Sequence, residues 1–234
     1  MPAPRKIQFA AQCQPVDELS LHGSADASFW APRLAPLGLK PLLIEGAAQV
    51  TLMAAEMTFA GVRFRELSVA VDVEKTEADG DDGMLLLEAF NTVRFFAWVE
   101  RTWFHTPYRF ARLDFSPAKS FRLYAGERTT LRAELGPRTL PPGEDMQRVG
   151  PVLLPPRSAA AGVPLKWFLA KLNGVTVRAP FLPTDTLQME AAGEAGVVAD
   201  LVASHFSPRE WTVLSAGYHG KSKTYAGPAP GFET

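Results

Sequence analysis

The 234-residue sequence predicts a β-rich α+β protein, in which an antiparallel sheet closes into a barrel or cone and carries a few flanking helices. Alternating apolar residues are the first observation, and residues 66–73 show this half-buried strand pattern most clearly. Turn residues are the second, because 20 prolines and 18 glycines divide the chain into about ten short strands and three short helices. A sheet of many short antiparallel strands protects its edges best when it closes.

Two short helices are predicted from their boundaries. Residues 24–38 place Trp30 and Leu34 four positions apart and end at Gly38, a typical helix stop. Residues 165–172 are followed by an Asn-Gly pair, which ends helices in the same way.

A third helix is predicted over residues 92–104. Its apolar residues Phe95, Val99 and Trp103 fall on one helical face, so we expect that face to pack into the core. Pro107 limits the helix, because the residue before a proline avoids helical geometry.

The strands follow from short apolar runs between turn residues. They are predicted over residues 47–59, 66–73, 84–90, 110–115, 120–125, 129–135, 175–181, 187–190, 197–203 and 210–216. The acidic stretch 74–83 contains two Asp-Gly pairs, which predict a solvated hairpin turn between the second and third of these strands.

The chain is predicted to form a single domain over residues 1–234. Residues 137–164 hold seven prolines and little periodicity, which indicates a long connection or a lid. Neither flank of this stretch has the pattern of an independent core. The tail 226–234 is expected to be flexible.

Composition excludes several classes of protein. The formal net charge of −1 gives no electrostatic reason to expect a nucleic-acid or membrane partner. Cys13 is the single cysteine, so the chain has no internal disulfide and a cysteine-based metal site is disfavoured. The sequence contains neither a secretory signal nor an uncharged apolar run of about 18 residues. We therefore expect a cytoplasmic protein.

Familiar cofactor and metal motifs are absent from the sequence. The four histidines do not pair at metal-ligand spacing, so no metal is predicted. Gly220-Lys221-Ser222 resembles the end of a phosphate-binding loop, but Ser215 stands where that loop needs glycine. No cofactor is predicted, and the basic stretch 219–225 is interpreted as a flexible segment.

Residues 100–109 form the one segment whose composition suggests chemistry. Buried charges must be paired or must face a cavity. His105 can act as an acid or base near neutral pH, and Arg101 or Arg109 can clamp a carboxylate. The structural alternative is that Arg101 pairs with a carboxylate of the protein while His105 caps the helix C-terminus.

From this segment outward, the order of motifs resembles the acetoacetate decarboxylase-like superfamily, and in particular its branch of uncharacterised bacterial proteins. Two stretches resemble family motifs that carry a charged residue: Phe-Arg-Glu-Leu-Ser-Val at 64–69, with the family's glutamate as Glu66, and the helix at 91–101, with the family's arginine as Arg101. Two further stretches also match, His-Thr-Pro-Tyr-Arg at 105–109 and Leu-Pro-Thr-Asp-Thr-Leu-Gln-Met at 182–189. They run in order over residues 40–216. The resemblance implies a barrel-like or cone-shaped fold with a largely apolar cavity, and it implies a homodimer or larger ring.

The catalytic lysines of the decarboxylases are missing. Those enzymes form an imine on a lysine whose pKa is lowered by a neighbouring lysine and an apolar pocket. The two corresponding positions are Tyr108 and Arg109, and neither side chain can form an imine. Nothing in the sequence places Lys119, Lys166 or Lys171 in such a pocket. The resemblance therefore does not carry the decarboxylase mechanism over.

Three hypotheses about function remain open. The chain is either an enzyme of lyase or isomerase type acting on a keto acid or related carbonyl compound, a non-catalytic binder of a small molecule, or an interaction protein whose cavity has filled. For an enzyme, the candidate catalytic residues are Glu66, His105 and Tyr108. The candidate substrate-binding residues are Arg101, Arg109, Trp98 and Trp103.

Overall fold

The computed structural model describes residues 8–74, 83–156, 164–191 and 196–227 of the chain. Its strands are β1 (Phe9–Ala25), β2 (Leu43–Ile44), β3 (Ala47–Phe59), β4 (Val62–Val73), β5 (Gly83–Asn91), β6 (Tyr108–Phe110), β7 (Arg112–Ser116), β8 (Ser120–Ala125), β9 (Arg128–Glu134), β10 (Glu144–Leu154), β11 (Lys166–Pro180), β12 (Thr186–Met189), β13 (Ser207–Ser222) and β14 (Tyr225–Ala226). Its helices are α1 (Ala27–Leu34), α2 (Arg94–Val99) and α3 (Val197–Ala203), with a 3₁₀ helix at Ala35–Leu37 and a π-helical turn at Glu100–Phe104. The predicted Asp-Gly turns and the tail beyond residue 227 lie outside the described residues.

Strand pairing closes the larger sheet into a ring. The sheet runs β1-β13-β11-β10-β5-β4-β3, and β3 pairs again with β1. The short strands β2, β6 and β14 pair with β3, β5 and β11. Most pairs are antiparallel as predicted, but β5 runs parallel to both β10 and β6, so the sheet is mixed.

Alternation along the strands gives the ring two different faces. In β4, Leu67, Val69 and Val71 belong to the main apolar core, whereas Glu66 and Ser68 lie on the opposite face. β1 follows the same pattern, with buried leucines on the core face and polar residues on the other. The ring therefore separates an apolar core from a face that carries buried polar side chains.

A second sheet and two helices cover the apolar face. The four-stranded sheet β12-β9-β8-β7 contributes Phe121, whose ring contacts Trp211 of β13 edge-on with centroids 6.4 Å apart. Trp30 of α1 and Leu201 of α3 are buried in the same core. Each such large apolar side chain stabilises the fold by about 1.5–3 kcal/mol relative to its exposed state.

Two of the three predicted helices are confirmed. Residues 24–38 form α1 and the 3₁₀ helix that follows, and they end at Gly38 in the left-handed conformation. Residues 92–104 form α2 and the π-helical turn. No helix within the described ranges is long and apolar enough to span a membrane.

One predicted helix is a strand in the structure, and one predicted strand is a helix. The helix predicted over 165–172 is wrong, because this stretch begins β11, where Trp167, Phe168 and Leu169 are all buried. A short apolar run is ambiguous when both faces of a strand are covered. The strand predicted over 197–203 is also wrong, because its buried residues repeat at helical spacing and form α3.

The two segments interpreted as irregular contain strands. Residues 137–164 include β10, which pairs antiparallel with β11 over its whole length. β10 pairs with β5 at Val152 and Leu153, so most of β10 has β11 as its one partner. A proline such as Pro151 is tolerated on the unpaired edge, because no backbone N–H is needed there. The stretch 219–225 belongs to β13 and β14 rather than to a flexible segment.

We predict that Gly23→Ala lowers the free energy of unfolding by about 1–3 kcal/mol, because it overpacks the β1–β13 contact. A Cβ atom at Gly23 would lie 2.3 Å from the Ser207 carbonyl oxygen and 2.6 Å from the Phe206 ring. Gly150→Ala is the matched control, since a Cβ there meets nothing within 4 Å. Urea denaturation of both variants measures the difference, and equal losses would contradict the close approach.

Candidate functional site

The segment from α2 to β6 has an unusual backbone. A π-helical turn at Glu100–Phe104 leads into His105, whose φ of 60° is left-handed. The backbone N–H groups of His105 and Thr106 both donate to the Glu100 carbonyl oxygen. Non-glycine residues with positive φ and π-helical turns are both uncommon, and they concentrate at functional sites.

This segment delivers Tyr108 to Glu66. Tyr108 lies on β6, which pairs parallel with β5 and places Tyr108 beside Ala89. Its buried hydroxyl group donates a hydrogen bond to Glu66 Oε1 on β4. Two residues that are 42 positions apart in sequence thus form one polar pair.

Burial changes the acidity of both groups of the pair. Burial raises the pKa of Glu66 to about 7, although the Tyr108 hydrogen bond and the charges of Lys221 and His219 oppose the change. The negative charge of Glu100 acts in the same direction as burial. Burial and the Glu66 carboxylate hold the pKa of Tyr108 well above its usual value. Glu66 can therefore gain or lose a proton near neutral pH.

Lys221 of β13 lies next to this pair. Its ammonium group forms an ion pair with Glu100 Oε2, which also accepts a hydrogen bond of 2.8 Å from the Thr106 hydroxyl group. The Lys221 Nζ atom lies 4.5 Å from the ring centre of Phe168 and 5.5 Å from that of Tyr108. Such distances allow cation–π attraction.

A second acid–base pair lies on the neighbouring strands. His219 Nε2 of β13 is 3.0 Å from Glu18 Oε2 of β1, and the Ser20 hydroxyl group donates to Glu18 Oε1 at 2.7 Å. Burial opposes ionisation of Glu18, but the hydrogen bond and charge of His219 outweigh it, so the pKa of Glu18 is lowered.

Burial raises the pKa of the nearby Cys13 thiol to about 12, so this thiol stays protonated.

An open pocket of about 800 Å³ borders Tyr108. Its lining comes from the unusual segment, from β5, from the residues just after β10 and from α3. Its lining residues are Leu87, Glu88, Arg101, Thr102, His105, Thr106, Pro107, Tyr108, Arg109, Pro155, Pro156, Gly196, Val197 and Asp200. Tyr108 therefore belongs both to the pocket and to the polar pair with Glu66.

Four of the seven candidate residues named from the sequence line this pocket: Arg101, His105, Tyr108 and Arg109. The guanidinium group of Arg109 pairs with Glu88 at 2.6 Å, whereas the Arg101 side chain is exposed. Glu66 is reached through Tyr108 and is not itself part of the lining.

The candidate residues Trp98 and Trp103 lie outside the pocket lining, with 45% and 68% of their surfaces exposed. Together with Phe95 they form an exposed aromatic patch, in which Phe95 stacks on Trp98 at 5.9 Å. The predicted core role of Phe95 and Trp103 is wrong. The helix contacts the sheet through Phe96, which packs against Phe64, so the predicted face points away.

Sequence reasoning missed Lys221, His219 and Glu18. The signal was present in part, because His219 and Lys221 are two positions apart and so share one face of a strand. The pairing of β1 with β13 could not be inferred from the pattern. Among the described residues, no group of three or more His, Cys, Asp or Glu side chains is arranged to hold a metal ion.

Comparison with solved structures identifies the fold. The acetoacetate decarboxylase from Legionella pneumophila superposes with a TM-score of 0.63 at 15% identity, covering 97% of this chain and 92% of that one. The enduracididine biosynthesis enzyme MppR, complexed with the condensation product of pyruvate and imidazole 4-carboxaldehyde, gives 0.60 at 12% identity, with coverages of 94% and 90%. The chain has the acetoacetate decarboxylase-like fold.

This result confirms at the level of fold the resemblance drawn from the order of motifs. An acetoacetate decarboxylase-like enzyme from Sphingomonas wittichii gives a TM-score of 0.57 at 13% identity, with coverages of 93% and 92%. No protein-family model matches the sequence, and the search of curated proteins finds no match either.

We predict that Glu66 makes stability pH-dependent. Its native pKa of about 7 lies above the usual 4.5, so the native state binds more protons between these values and stability falls as pH rises through them. Glu66→Gln lacks this group. The stability of the wild type relative to this variant should therefore fall by roughly 1–3 kcal/mol between pH 5 and pH 8.

Urea denaturation at several pH values measures this difference. Tyr108→Phe removes the hydrogen bond that lowers the pKa of Glu66, so in that variant the fall should extend to higher pH. A difference between wild type and Glu66→Gln that is constant with pH would contradict the raised pKa.

Proposed function

We propose that this chain is an enzyme that binds a small carbonyl compound carrying a carboxylate and moves a proton on it, without an imine at positions 108 and 109. The observation that carries the proposal is the hydrogen bond from Tyr108, a pocket residue, to Glu66 behind it. Acid–base catalysis needs a group that titrates near the working pH and lies within hydrogen-bond reach of the reacting atoms. Tyr108 gives Glu66 that connection to the pocket.

The two groups suit enolate chemistry. A proton from the carbon next to the carbonyl group would pass to Glu66 through the Tyr108 hydroxyl, whose oxygen accepts it as its own proton moves to Glu66 Oε1. Aldol-type, hydration and isomerisation reactions all fit this pair, which corresponds to lyase or isomerase activity. His105 lines the pocket and is proposed as a second group that could transfer a proton.

The pocket offers an anchor for a carboxylate. Arg101 is exposed in the lining, and a guanidinium group can bind a carboxylate through two parallel hydrogen bonds. Arg109 already pairs with Glu88, so we assign it the secondary role of adding positive charge. A substrate that extends beyond the lining would meet the aromatic rings of Trp98 and Trp103.

The shared fold suggests which compounds to try first. The MppR structure holds the condensation product of pyruvate and imidazole 4-carboxaldehyde. Pyruvate combines a carbonyl group with a carboxylate, the two features that the pocket is proposed to bind. Pyruvate and other 2-oxo acids are therefore the probes of choice for this chain.

Non-catalytic binding is the second candidate function. The exposed aromatic patch of Phe95, Trp98 and Trp103 favours it, because a contiguous apolar surface of this kind is typical of interaction sites. Under this hypothesis the pocket would bind a ligand without turning it over, or the chain would act as an interaction protein.

We predict that pyruvate or another 2-oxo acid stabilises the wild type, by about 2.7 kcal/mol at 100 times the Kd. Arg101→Ala should lose most of this stabilisation because the carboxylate loses its anchor. Arg128→Ala is the control, since Arg128 is also an exposed arginine but lies on β9 and pairs with Glu190 outside the pocket. Thermal shift and calorimetry measure the effect. An unchanged response in Arg101→Ala would remove Arg101 from the site.

We also predict that the wild type exchanges the methyl protons of pyruvate with solvent deuterium. Proton NMR in D₂O follows this reaction, which reports removal of a proton next to the carbonyl group. Glu66→Gln should slow the exchange by about 10²-fold or more, because it loses the base. Binding without exchange in the wild type would favour the non-catalytic candidate.

Borohydride reduction of the same mixture is the control for mechanism. Under the proposal it leaves the protein mass unchanged. A trapped adduct on a lysine would overturn the imine-free part of the proposal, and peptide mapping would test Lys221 first because its ammonium lies beside the Tyr108 ring.

A further inference from the structure

We infer that Lys221 and Thr224, at the end of β13 and just beyond it, form a clamp that positions the site-bearing segment 100–108. The clamp gives Lys221 a positioning role. Neither the sequence around Lys221 nor the proposed reaction assigns a role to this residue. The inference deepens the proposed function, because Arg101, His105 and Tyr108 all belong to the clamped segment. The existence of the clamp can be tested without any ligand.

Lys221 holds the start of the segment. Its ammonium group pairs with Glu100, the first residue of the π-helical turn, and only 14% of its side chain is exposed. The same carboxylate accepts the Thr106 hydroxyl hydrogen bond at 2.8 Å. One ion pair therefore attaches to β13 both Glu100, at the start of the turn, and Thr106, two residues beyond its end.

Thr224 holds the far end of the π-helical turn. Its hydroxyl group donates to the Phe104 carbonyl oxygen at 2.7 Å. The Phe104 ring in turn lies 4.8 Å from the Lys221 Nζ atom. The last residue of the turn is thus held through both its backbone and its side chain.

The segment needs such support because its own backbone is unfavourable. A π-helical turn and a left-handed His105 are rarely adopted, and they persist where surrounding contacts determine them. The local hydrogen bonds to the Glu100 carbonyl oxygen close the turn but do not attach it to the ring. The ion pair and the Thr224 hydrogen bond make that attachment from β13.

The charge of Lys221 also acts on the acid–base pair. It lowers the pKa of Glu66, whereas Glu100 raises it. The titratable groups that interact electrostatically with Glu66 are Tyr108, Glu100, Lys221, His219 and Cys13. Loss of Lys221 would therefore release the segment and also remove a cation that favours ionisation of Glu66.

Hydrogen exchange of the full chain tests the clamp directly. In Lys221→Met, the amides of residues 100–108 should exchange about tenfold faster or more, because the local opening becomes easier. Thr224→Val should accelerate the same amides, and Lys221→Arg should restore protection because it keeps the ion pair. Lys171→Met is the matched control, since it removes a lysine of the paired strand β11 opposite Gly220.

The readouts separate a positioning role from general destabilisation. Under the inference, the core strands of Lys221→Met keep their protection against hydrogen exchange. The affinity for the 2-oxo acid falls in Lys221→Met and recovers in Lys221→Arg. The pH at which methyl-proton exchange of pyruvate reaches half its maximum rate should rise in Lys221→Met. The reason is that this variant loses a positive charge that lowers the pKa of Glu66. Unchanged exchange of 100–108 in both Lys221→Met and Thr224→Val would overturn the clamp.

The outcomes for the two proposals are distinct. If the wild type binds no 2-oxo acid, the proposed function fails while the hydrogen-exchange pattern still decides the clamp. If the wild type binds pyruvate and exchanges its methyl protons, but the amides of 100–108 exchange alike in all variants, the clamp fails and the proposed function stands. Acceleration spread evenly over the whole chain would overturn the clamp, because Lys221 would then support the fold in general.

Discussion

Closure of the ring through β1 determines where the polar side chains of the site lie. β1 pairs with β3 over ten residue pairs from Val16 to Ala25, and along its other edge it pairs with β13. This double pairing joins the N-terminal strand to a strand almost 200 residues later in the chain. The pairing with β13 brings His219 to Glu18, and the closed ring holds β13 and β4 in one sheet.

The closed ring also explains why so many ionisable groups are buried on one of its faces. Each buried charge costs free energy unless a partner of opposite charge or a hydrogen bond compensates for it. Glu18 has His219, and Glu100 has Lys221, so both carboxylates are compensated by residues of β13. Among the described residues, the direct partner of Glu66 is a neutral hydroxyl group, which does not offset burial, so the pKa of Glu66 rises whereas that of Glu18 falls.

Tyr108 links the two parts of the site. Its hydroxyl group belongs to the buried polar cluster, and the same residue borders the open pocket. The segment that carries it is held by β5 through strand pairing and by β13 through the Glu100 ion pair. The chemistry proposed for the pocket therefore depends in part on a contact made by β13, a strand that is not among its lining elements.

Local pattern was sufficient for part of this description. The alternation in β4, the glycine stop after α1 and the unusual composition of 100–109 all predicted features that the structure contains. Local pattern failed where burial covers both faces of an element, as in the first half of β11, because a short apolar run then fits a helix and a strand equally well. It also failed for Phe95 and Trp103, since periodicity identifies an apolar face but not what covers it.

The sequence by itself determined the β-rich class, the choice of residues 100–109 as the candidate segment, and the absence of lysine at positions 108 and 109. It also singled out Glu66 and Tyr108, although the hydrogen bond between them depends on the pairing of β4, β5 and β6. The tertiary structure alone decided that a lysine from the last long strand reaches Glu100 and lies beside Tyr108. The physical reason is that strand pairing acts between residues far apart in the chain, so neighbouring residues carry no record of it.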